Sequence, residues 1–177
     1  MTSTPFVSTQ WLADHLDDAN VTIIDASWYL PTQNRNGSNE YEAGHIPGAV
    51  FFDIDEISDK TSSLPHMLPD AAQFAQHMAR LGISDQPHLI VYDGAGLFSA
   101  PRARWTLQVF GATNVSILAG GAPKWRSENR PWTNAATTPK SATFTPTFNA
   151  ASVATLATVK NTLKTGSAQI VDARPAD

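Results

Sequence analysis

Apolar runs alternate with helix-like patterns along the first three quarters of the chain. Short apolar runs typical of buried strands occupy residues 21–25, 49–52, 88–92 and 115–118. Apolar residues at helical spacing predict helices over residues 9–16, 69–82, 101–110 and 121–129. Strands that alternate with helices predict a largely parallel α/β sheet with helices on both faces. Ligands meet such sheets at the carboxyl ends of the strands, so the loops after Asp25 and Tyr92 are the first candidates for a site.

Local signals mark where several of these elements begin and end. Ser8 and Thr9 can cap the first helix, and Pro69-Asp70 opens the helix that Gly82 closes. The stretch 32–39 is rich in Asn, Gln and Gly, which predicts a loop.

A change in composition follows Trp132. Residues 133–148 contain six Thr and two Pro and no acidic residue, which is typical of an extended surface connection rather than a packed element. We interpret the chain as a domain over 1–132, a linker over 133–151 and a further segment over 152–177.

An internal repeat strengthens this division. The residues Ile23-Ile24-Asp25-Ala26 recur as Ile170-Val171-Asp172-Ala173, and each copy follows a helical pattern. The second copy predicts the first helix and strand of a duplicated domain that the chain does not complete. An apolar strand without its sheet tends to find another edge, so we expect some self-association.

Composition and charge exclude several classes of function. The 177 residues carry a net charge of −4 and no basic field that would attract nucleic acid or an anionic membrane. No apolar run is long enough to span a membrane, and the N-terminus lacks a secretory pattern, so we expect a cytoplasmic protein. The histidines have no metal-ligand spacing, and we expect neither a metal nor a cofactor.

The loop at residues 92–101 holds the strongest chemical signal. Two glycines and a following helix with Pro101 in its first turn would gather inward N–H groups into an anion cradle. A Cys at the first loop position would be an activated thiolate there, but the sequence contains no Cys and that position is Asp93. We expect the Asp93 carboxylate to accept the loop N–H bonds, and Arg102 to form a structural ion pair with it or with another acid.

Several motifs, in order, cover essentially the whole chain and closely resemble the N-terminal half of tandem-domain rhodaneses, above all the 3-mercaptopyruvate and thiosulfate sulfurtransferases. The matching segments are residues 25–29, 40–41, 45–49, 51–54, 66–69, 91–93, 99–102 and 120–121. The resemblance implies a rhodanese-like fold, a five-stranded parallel sheet flanked by helices. It also implies a parent protein of roughly twice this size, whose C-terminal rhodanese domain carries the catalytic Cys and the substrate-binding arginines.

The resemblance implies sulfur transfer from thiosulfate or 3-mercaptopyruvate to cyanide or a thiol, through a persulfide on that Cys. This chain, in which Asp93 matches the position of the Cys, would have no catalytic residue and would be inactive alone. Its loops would form one wall of the cleft between domains, lined by Trp28 and Phe98. Packing in the domain core is the other interpretation of both aromatic residues.

His45 lies in the turn His45-Ile46-Pro47-Gly48 and is a possible auxiliary proton carrier. A hydrogen bond that ties the turn is the alternative role. In mercaptopyruvate enzymes an acid on the preceding loop is thought to assist this histidine, and the matching position here is Asn36, which cannot supply a charge.

Two other functions fit parts of the sequence. A stand-alone inactive rhodanese-like module could bind a partner or an anion with its Asp93 loop. Some protein-tyrosine phosphatases share the fold, but they also need a loop Cys, which is missing.

Overall fold

A central sheet of five parallel strands organises the computed structural model, which describes residues 5–172. Its strands are β1 (Phe6–Val7), β2 (Val21–Asp25), β3 (Val50–Phe51), β4 (His88–Tyr92) and β5 (Val115–Leu118). They lie in the order β1-β5-β4-β2-β3, and every pairing is parallel. The predicted five-stranded parallel sheet is confirmed.

Within residues 5–172, six α-helices accompany the sheet. They are α1 (Thr9–Asp14), α2 (Gly37–Ala43), α3 (Ala71–Arg80), α4 (Ala100–Val109), α5 (Gly121–Ser127) and α6 (Leu156–Thr165). Short 3₁₀ turns occupy Pro31–Gln33 and Ala150–Ser152. Asp70 caps α3 in a capping box with Gln73, as the sequence pattern predicted for the start of this helix.

Strand β4 shows why helices cover both faces of the sheet. Leu89 and Val91 enter one core cluster with residues of α3 and α4, whereas Ile90 and Tyr92 enter the other with residues of α1 and α5. Successive side chains of a strand point to opposite faces, so a strand that is apolar at every position must be buried on both sides. The uninterrupted run 88–92 therefore identifies the centre of the sheet.

Two elements differ from the sequence prediction. The stretch 32–39, predicted as a loop, contains the start of α2, because Asn36 accepts a hydrogen bond from the Asn39 N–H and caps that helix. The edge strand β1 was not predicted from the residue pattern, since two residues show no periodicity.

The predicted linker is extended, but it is not only a surface connection. Phe144 is buried and lies edge-on to Phe74 at 5.3 Å, and the Thr147 N–H donates to the Phe110 carbonyl at 2.8 Å. The expectation of an unpacked segment was wrong because one aromatic side chain among many threonines is enough to fix the segment to the core.

The second copy of the repeat does not form a strand here. Ile170 and Val171 are exposed and belong to no sheet, and Ala173 lies outside the described residues. Helix α6 precedes them as predicted, with Leu156 and Leu163 about 70% exposed. These apolar side chains have no core of their own in residues 5–172.

Candidate functional site

The loop between β4 and α4 folds around one carboxylate. Asp93 is buried, and its Oδ1 accepts the N–H groups of Ala95 and Gly96 at 2.9 and 2.7 Å. Its Oδ2 accepts three more from residues 98, 99 and 100 at 2.7 to 2.9 Å. The last of these belongs to the first turn of α4, where the helix dipole adds positive potential. Five amide hydrogens thus converge on one anionic group, the arrangement expected from the loop sequence.

A second carboxylate lies at the end of the neighbouring strand β2. Asp25 Oδ1 accepts the Ser27 N–H at 2.9 Å and the Ser27 hydroxyl at 2.5 Å. Burial raises the pKa of Asp25, although these hydrogen bonds lower it in part. The Gly94 N–H donates to Ser27 Oγ at 2.8 Å and so connects the two carboxylate sites.

A polar cavity of about 700 Å³ opens beside Asp25 and Ser27. On its wall, Arg35 forms two 2.7 Å hydrogen bonds with the Glu40 carboxylate and lies over the Tyr29 ring at 3.8 Å. The guanidinium lowers the pKa of Glu40, while burial and the bond to Glu40 raise the pKa of Tyr29. The sequence pattern did not predict this cluster, because Arg35 and Glu40 meet only once α2 has formed.

A smaller cavity of about 230 Å³ lies beside the Asp93 loop, next to Phe98 and Ser99. Trp28 and Phe98, both named from the sequence, line it with their rings stacked at 6.3 Å. Phe98 is about half exposed, whereas Trp28 also packs against the core. Both interpretations of Trp28 therefore apply, since one part of the ring is packed and another faces the cavity.

Two residues hold Trp28 in this position. Its indole N–H donates to Asp55 Oδ2 at 2.8 Å, and its ring meets the edge of His66 at 5.1 Å. His66 Nδ1 lies 2.9 Å from Asp55 Oδ1, but the geometry does not make a hydrogen bond. His66 has a positive φ of 57°, so the loop is bent sharply to bring this ring to the cavity.

Arg102 does not form the ion pair that the sequence predicted. Its guanidinium donates to the His66 carbonyl and lies 4.6 Å from the Trp105 ring. No carboxylate among residues 5–172 pairs with it, because Asp93 is already surrounded by amide hydrogens and Asp55 accepts the Trp28 indole N–H. Burial lowers the pKa of Arg102.

His45 is buried in the turn where the sequence placed it. Its Nδ1 lies 2.7 Å from the Tyr41 carbonyl, its ring stacks on Tyr41 at 4.1 Å, and its backbone pairs with Thr133. Its Nε2 has no hydrogen-bond partner among the described residues. Asn36 caps α2 instead of assisting this ring. The contacts are those of a residue that ties a turn.

The arrangement of sheet and loop corresponds to a known domain type. A family model described as the rhodanese-like domain matches residues 8–128. The chain belongs to the rhodanese-like domain family.

The relatives of this rhodanese-like chain include proteins named as sulfurtransferases. It is 48% identical to the 3-mercaptopyruvate sulfurtransferase of Escherichia coli K12 over 177 residues, which cover 99% of this chain and 63% of that protein. It is 49% identical to the mitochondrial thiosulfate/3-mercaptopyruvate sulfurtransferase 1 of Arabidopsis thaliana over 126 residues, 71% of this chain and 33% of that protein. The chain therefore spans less than two thirds of the length of these relatives.

The crystal structure of SseA from Escherichia coli, described as a 3-mercaptopyruvate sulfurtransferase with the rhodanese fold, superposes with a TM-score of 0.93. The two are 47% identical, and the match covers 98% of this chain and 66% of that one. The similarity extends beyond the family match and includes the segment after residue 128.

The described part of the chain contains neither a metal-binding cluster of side chains nor a membrane-spanning helix. Residues 5–172 contain no group of three or more His, Asp or Glu placed to hold a metal ion. Among the same residues, no helix is both long and apolar enough to cross a bilayer.

Proposed function

We propose that this chain is the non-catalytic N-terminal domain of a tandem sulfurtransferase, whose reactive Cys belongs to a second rhodanese-like domain. The observation that carries the proposal is the Asp93 carboxylate, which accepts five loop amide hydrogens at the end of the central strand. Such a cradle would stabilise a thiolate, and a carboxylate fills it here.

The proposed reaction explains why the chain would be inactive alone. A thiolate attacks the outer sulfur of thiosulfate, forms an S–S bond and releases sulfite, which keeps the electron pair of the broken bond. With 3-mercaptopyruvate, the thiolate attacks the thiol sulfur and the C–S bond breaks. The enolate that leaves with the electron pair becomes pyruvate when its methylene carbon is protonated. Cyanide or a thiol then takes the sulfur from the persulfide. A carboxylate cannot accept a sulfur atom in this way, and the chain has no Cys.

In this proposal the 230 Å³ cavity with Trp28 and Phe98 faces the second domain and forms one wall of the active cleft. Support comes from its position at the carboxyl edge of the sheet and from the exposure of Phe98. Aromatic walls would exclude water from a reactive persulfide.

The domain division remains part of the proposal: 1–132 for the first domain, 133–151 for the connection and 152–177 for the start of the second. Support comes from α6, whose exposed Leu156 and Leu163 would be covered by that second domain. Without it, we expect these side chains and Ile170 and Val171 to cause self-association. Sedimentation of the 177-residue chain should show a concentration-dependent dimer, and a monomer at millimolar concentration would contradict this.

A cytoplasmic protein that acts on a small sulfur donor fits the charge and composition of the chain. The alternative of a stand-alone module that binds an anion with its Asp93 loop has less support, because all five converging amide hydrogens already bond to Asp93.

Two assays test the proposal. The purified 177-residue chain, given thiosulfate and cyanide, should form no thiocyanate above background, and given 3-mercaptopyruvate it should form no pyruvate. The coding sequence after codon 177 should encode a further domain with a Cys-bearing loop, and the protein extended by that domain should catalyse sulfur transfer. Turnover by the chain alone, or a stop codon directly after residue 177, would refute the proposal.

A further inference from the structure

The polar cavity of about 700 Å³ lies where the strand order of the sheet reverses. The chain runs from β2 to β3 on one side and from β4 to β5 on the other. Helix α2 packs through Tyr41 on the core face of α1 and α5, whereas α4 packs on the opposite face. Asp25, Ser27 and Gly94 line the cavity at the carboxyl ends of β2 and β4. In open α/β sheets, a crevice at this point is where ligands bind.

Two arginines line this cavity and keep hydrogen-bond donors unused. Arg35 donates to Glu40 through Nε and Nη2, and none of its hydrogen bonds to described residues involves Nη1. Arg126 lies 5.4 Å from the centre of the Trp132 ring, and its guanidinium makes no hydrogen bond within residues 5–172. A planar guanidinium with free N–H groups is suited to bind the oxygens of an anion.

The acids of the cavity leave a positive balance beside these donors. Both oxygens of Glu40 accept hydrogen bonds from Arg35, so this pair carries no net charge. The hydrogen bond from Arg35 lowers the pKa of Glu40 most, and the charge of Arg126 lowers it further, so both cations act on the same carboxylate. Burial raises the pKa of Asp25 and disfavours its charged form. Arg126 is therefore the cation in the cavity that no acid neutralises.

The remaining walls suit an organic group. Apolar surface comes from Ala43, Ala122, Pro123 and Trp132. The indole N–H of the half-buried Trp132 has no acceptor among residues 5–172, and a Cβ placed on Gly44 would lie 2.1 Å from its Nε1. At about 700 Å³ the cavity lies within the roughly 300–1,000 Å³ typical of small-molecule sites, so an inorganic ion would leave most of it empty.

We propose that this cavity binds a phosphate monoester, with the phosphate bound by Arg126 and by Nη1 of Arg35 and the organic group against Trp132. A phosphate group has three terminal oxygens in a tetrahedral arrangement and can accept from donors on several walls, whereas a carboxylate offers two oxygens in one plane. The site lies apart from the cavity of Trp28 and Phe98 and does not depend on the proposed sulfur transfer. Its failure would leave that function standing.

Phenyl phosphate is a suitable probe, because it joins a phosphate to a planar apolar ring. Titration into the 177-residue chain at constant ionic strength, balanced with sodium chloride, should shift the NMR signal of the Trp132 indole N–H in a saturable way. The indole N–H of Trp28, which bonds to Asp55 beside the other cavity, should not shift. Inorganic phosphate should bind more weakly because it lacks the ring, and equal affinity would overturn the assignment of an organic ligand.

Substitutions on α5 separate this site from a general effect of positive charge. Arg126 is exposed, so Arg126→Gln should leave the urea midpoint unchanged and weaken phenyl phosphate binding by about tenfold or more. Arg126→Lys should weaken it less because the charge remains. Lys124→Gln removes the same charge from the same helix, but Lys124 pairs with Glu128 at 3.5 Å and does not line the cavity, so binding should change little.

Three results would overturn the site. They are a Trp132 shift that does not saturate, an equal shift at Trp28, and equal weakening of binding by Arg126→Gln and Lys124→Gln.

Discussion

Asp25 is the last residue of β2 and Asp93 directly follows the adjacent parallel strand β4. Both carboxyl groups are buried, but their surroundings stabilise a negative charge to different degrees. Asp25 receives two hydrogen bonds from Ser27, and burial still raises its pKa. Asp93 receives five backbone N–H groups at the start of a helix. The loop after β4 therefore stabilises an anion through its backbone N–H groups, whereas the buried environment at the end of β2 disfavours the charged carboxylate.

Removal of the Asp93 carboxylate should give the largest effect. Asp93→Ala leaves five amide hydrogens without an acceptor, and since each buried unsatisfied group costs roughly 1–3 kcal/mol, we expect a loss of at least about 3 kcal/mol of unfolding free energy. Urea denaturation measures this loss.

An external anion provides the control for this variant. Sulfate should restore part of the stability of Asp93→Ala, and chloride at equal ionic strength should restore less, because the emptied cradle prefers a multivalent oxyanion. A loss below about 1 kcal/mol, or no difference between the salts, would mean that the loop is not an anion cradle.

Gly94→Ala tests the link between the two carboxylates. A Cβ at this position would lie 2.0 Å from the Tyr29 hydroxyl, which is fixed by Glu40 and Arg35, and 3.3 Å from Ser27 Oγ. Because Tyr29 must move, we expect a loss of about 2 kcal/mol in thermal or urea unfolding. Gly48→Ala is a control for steric overlap, because a Cβ at this position would meet no atom within 4 Å. The φ of 78° at Gly48 adds backbone strain to that variant.

Asp25→Asn should have a smaller effect, visible mainly in the pH dependence. The folded protein binds the Asp25 proton more tightly than the unfolded chain does, so stability from this group falls as pH rises from its ordinary pKa through the raised one. The Asn variant should lose that slope and change stability at neutral pH by about 1 kcal/mol or less. Unfolding free energies at several pH values measure both, and an unchanged slope would contradict the raised pKa.

Substitution of Glu128 should have the smallest effect, and this surface carboxylate is a reference for the buried Asp25 and Asp93. It accepts bonds from Thr9 and Arg130 at 2.6 Å, and these lower its pKa to about 2. Its contribution is complete above pH 4.5 and is lost as pH falls towards 2. Glu128→Gln should therefore lower the urea midpoint slightly at about pH 7 and leave it unchanged at about pH 2, and an equal change at both would contradict the ion pair.

The sequence predicted the elements that periodicity and capping determine. Strand β4 and helix α3 have strong apolar patterns and clear end signals, so their positions were predictable. The two-residue strand β1 and the burial of Phe144 were not, because both depend on distant residues.

The same distinction between local and distant contacts applies to the candidate site. The bonds of Asp93 are local to one loop and follow from its glycines and the next helix. Arg102 could not be placed, because its contacts depend on where the loop with His66 crosses α4. The cluster of Arg35, Glu40 and Tyr29 was not predictable for a similar reason. It depends on helix α2, which Asn36 caps within a stretch whose composition is typical of a loop.

The most direct test of the account places a thiol in the cradle. Because the chain has no Cys, Asp93→Cys yields a protein with a single thiol, whose pKa can be measured from the pH dependence of its alkylation rate. Ala136→Cys, at an exposed position, is the control and should show the ordinary value of about 8.5. If the loop amides and helix α4 stabilise an anion, the thiol introduced in the cradle should have a pKa below about 7. A value at or above about 8.5 in the folded variant would contradict the central claim that this loop is built to hold a negative charge.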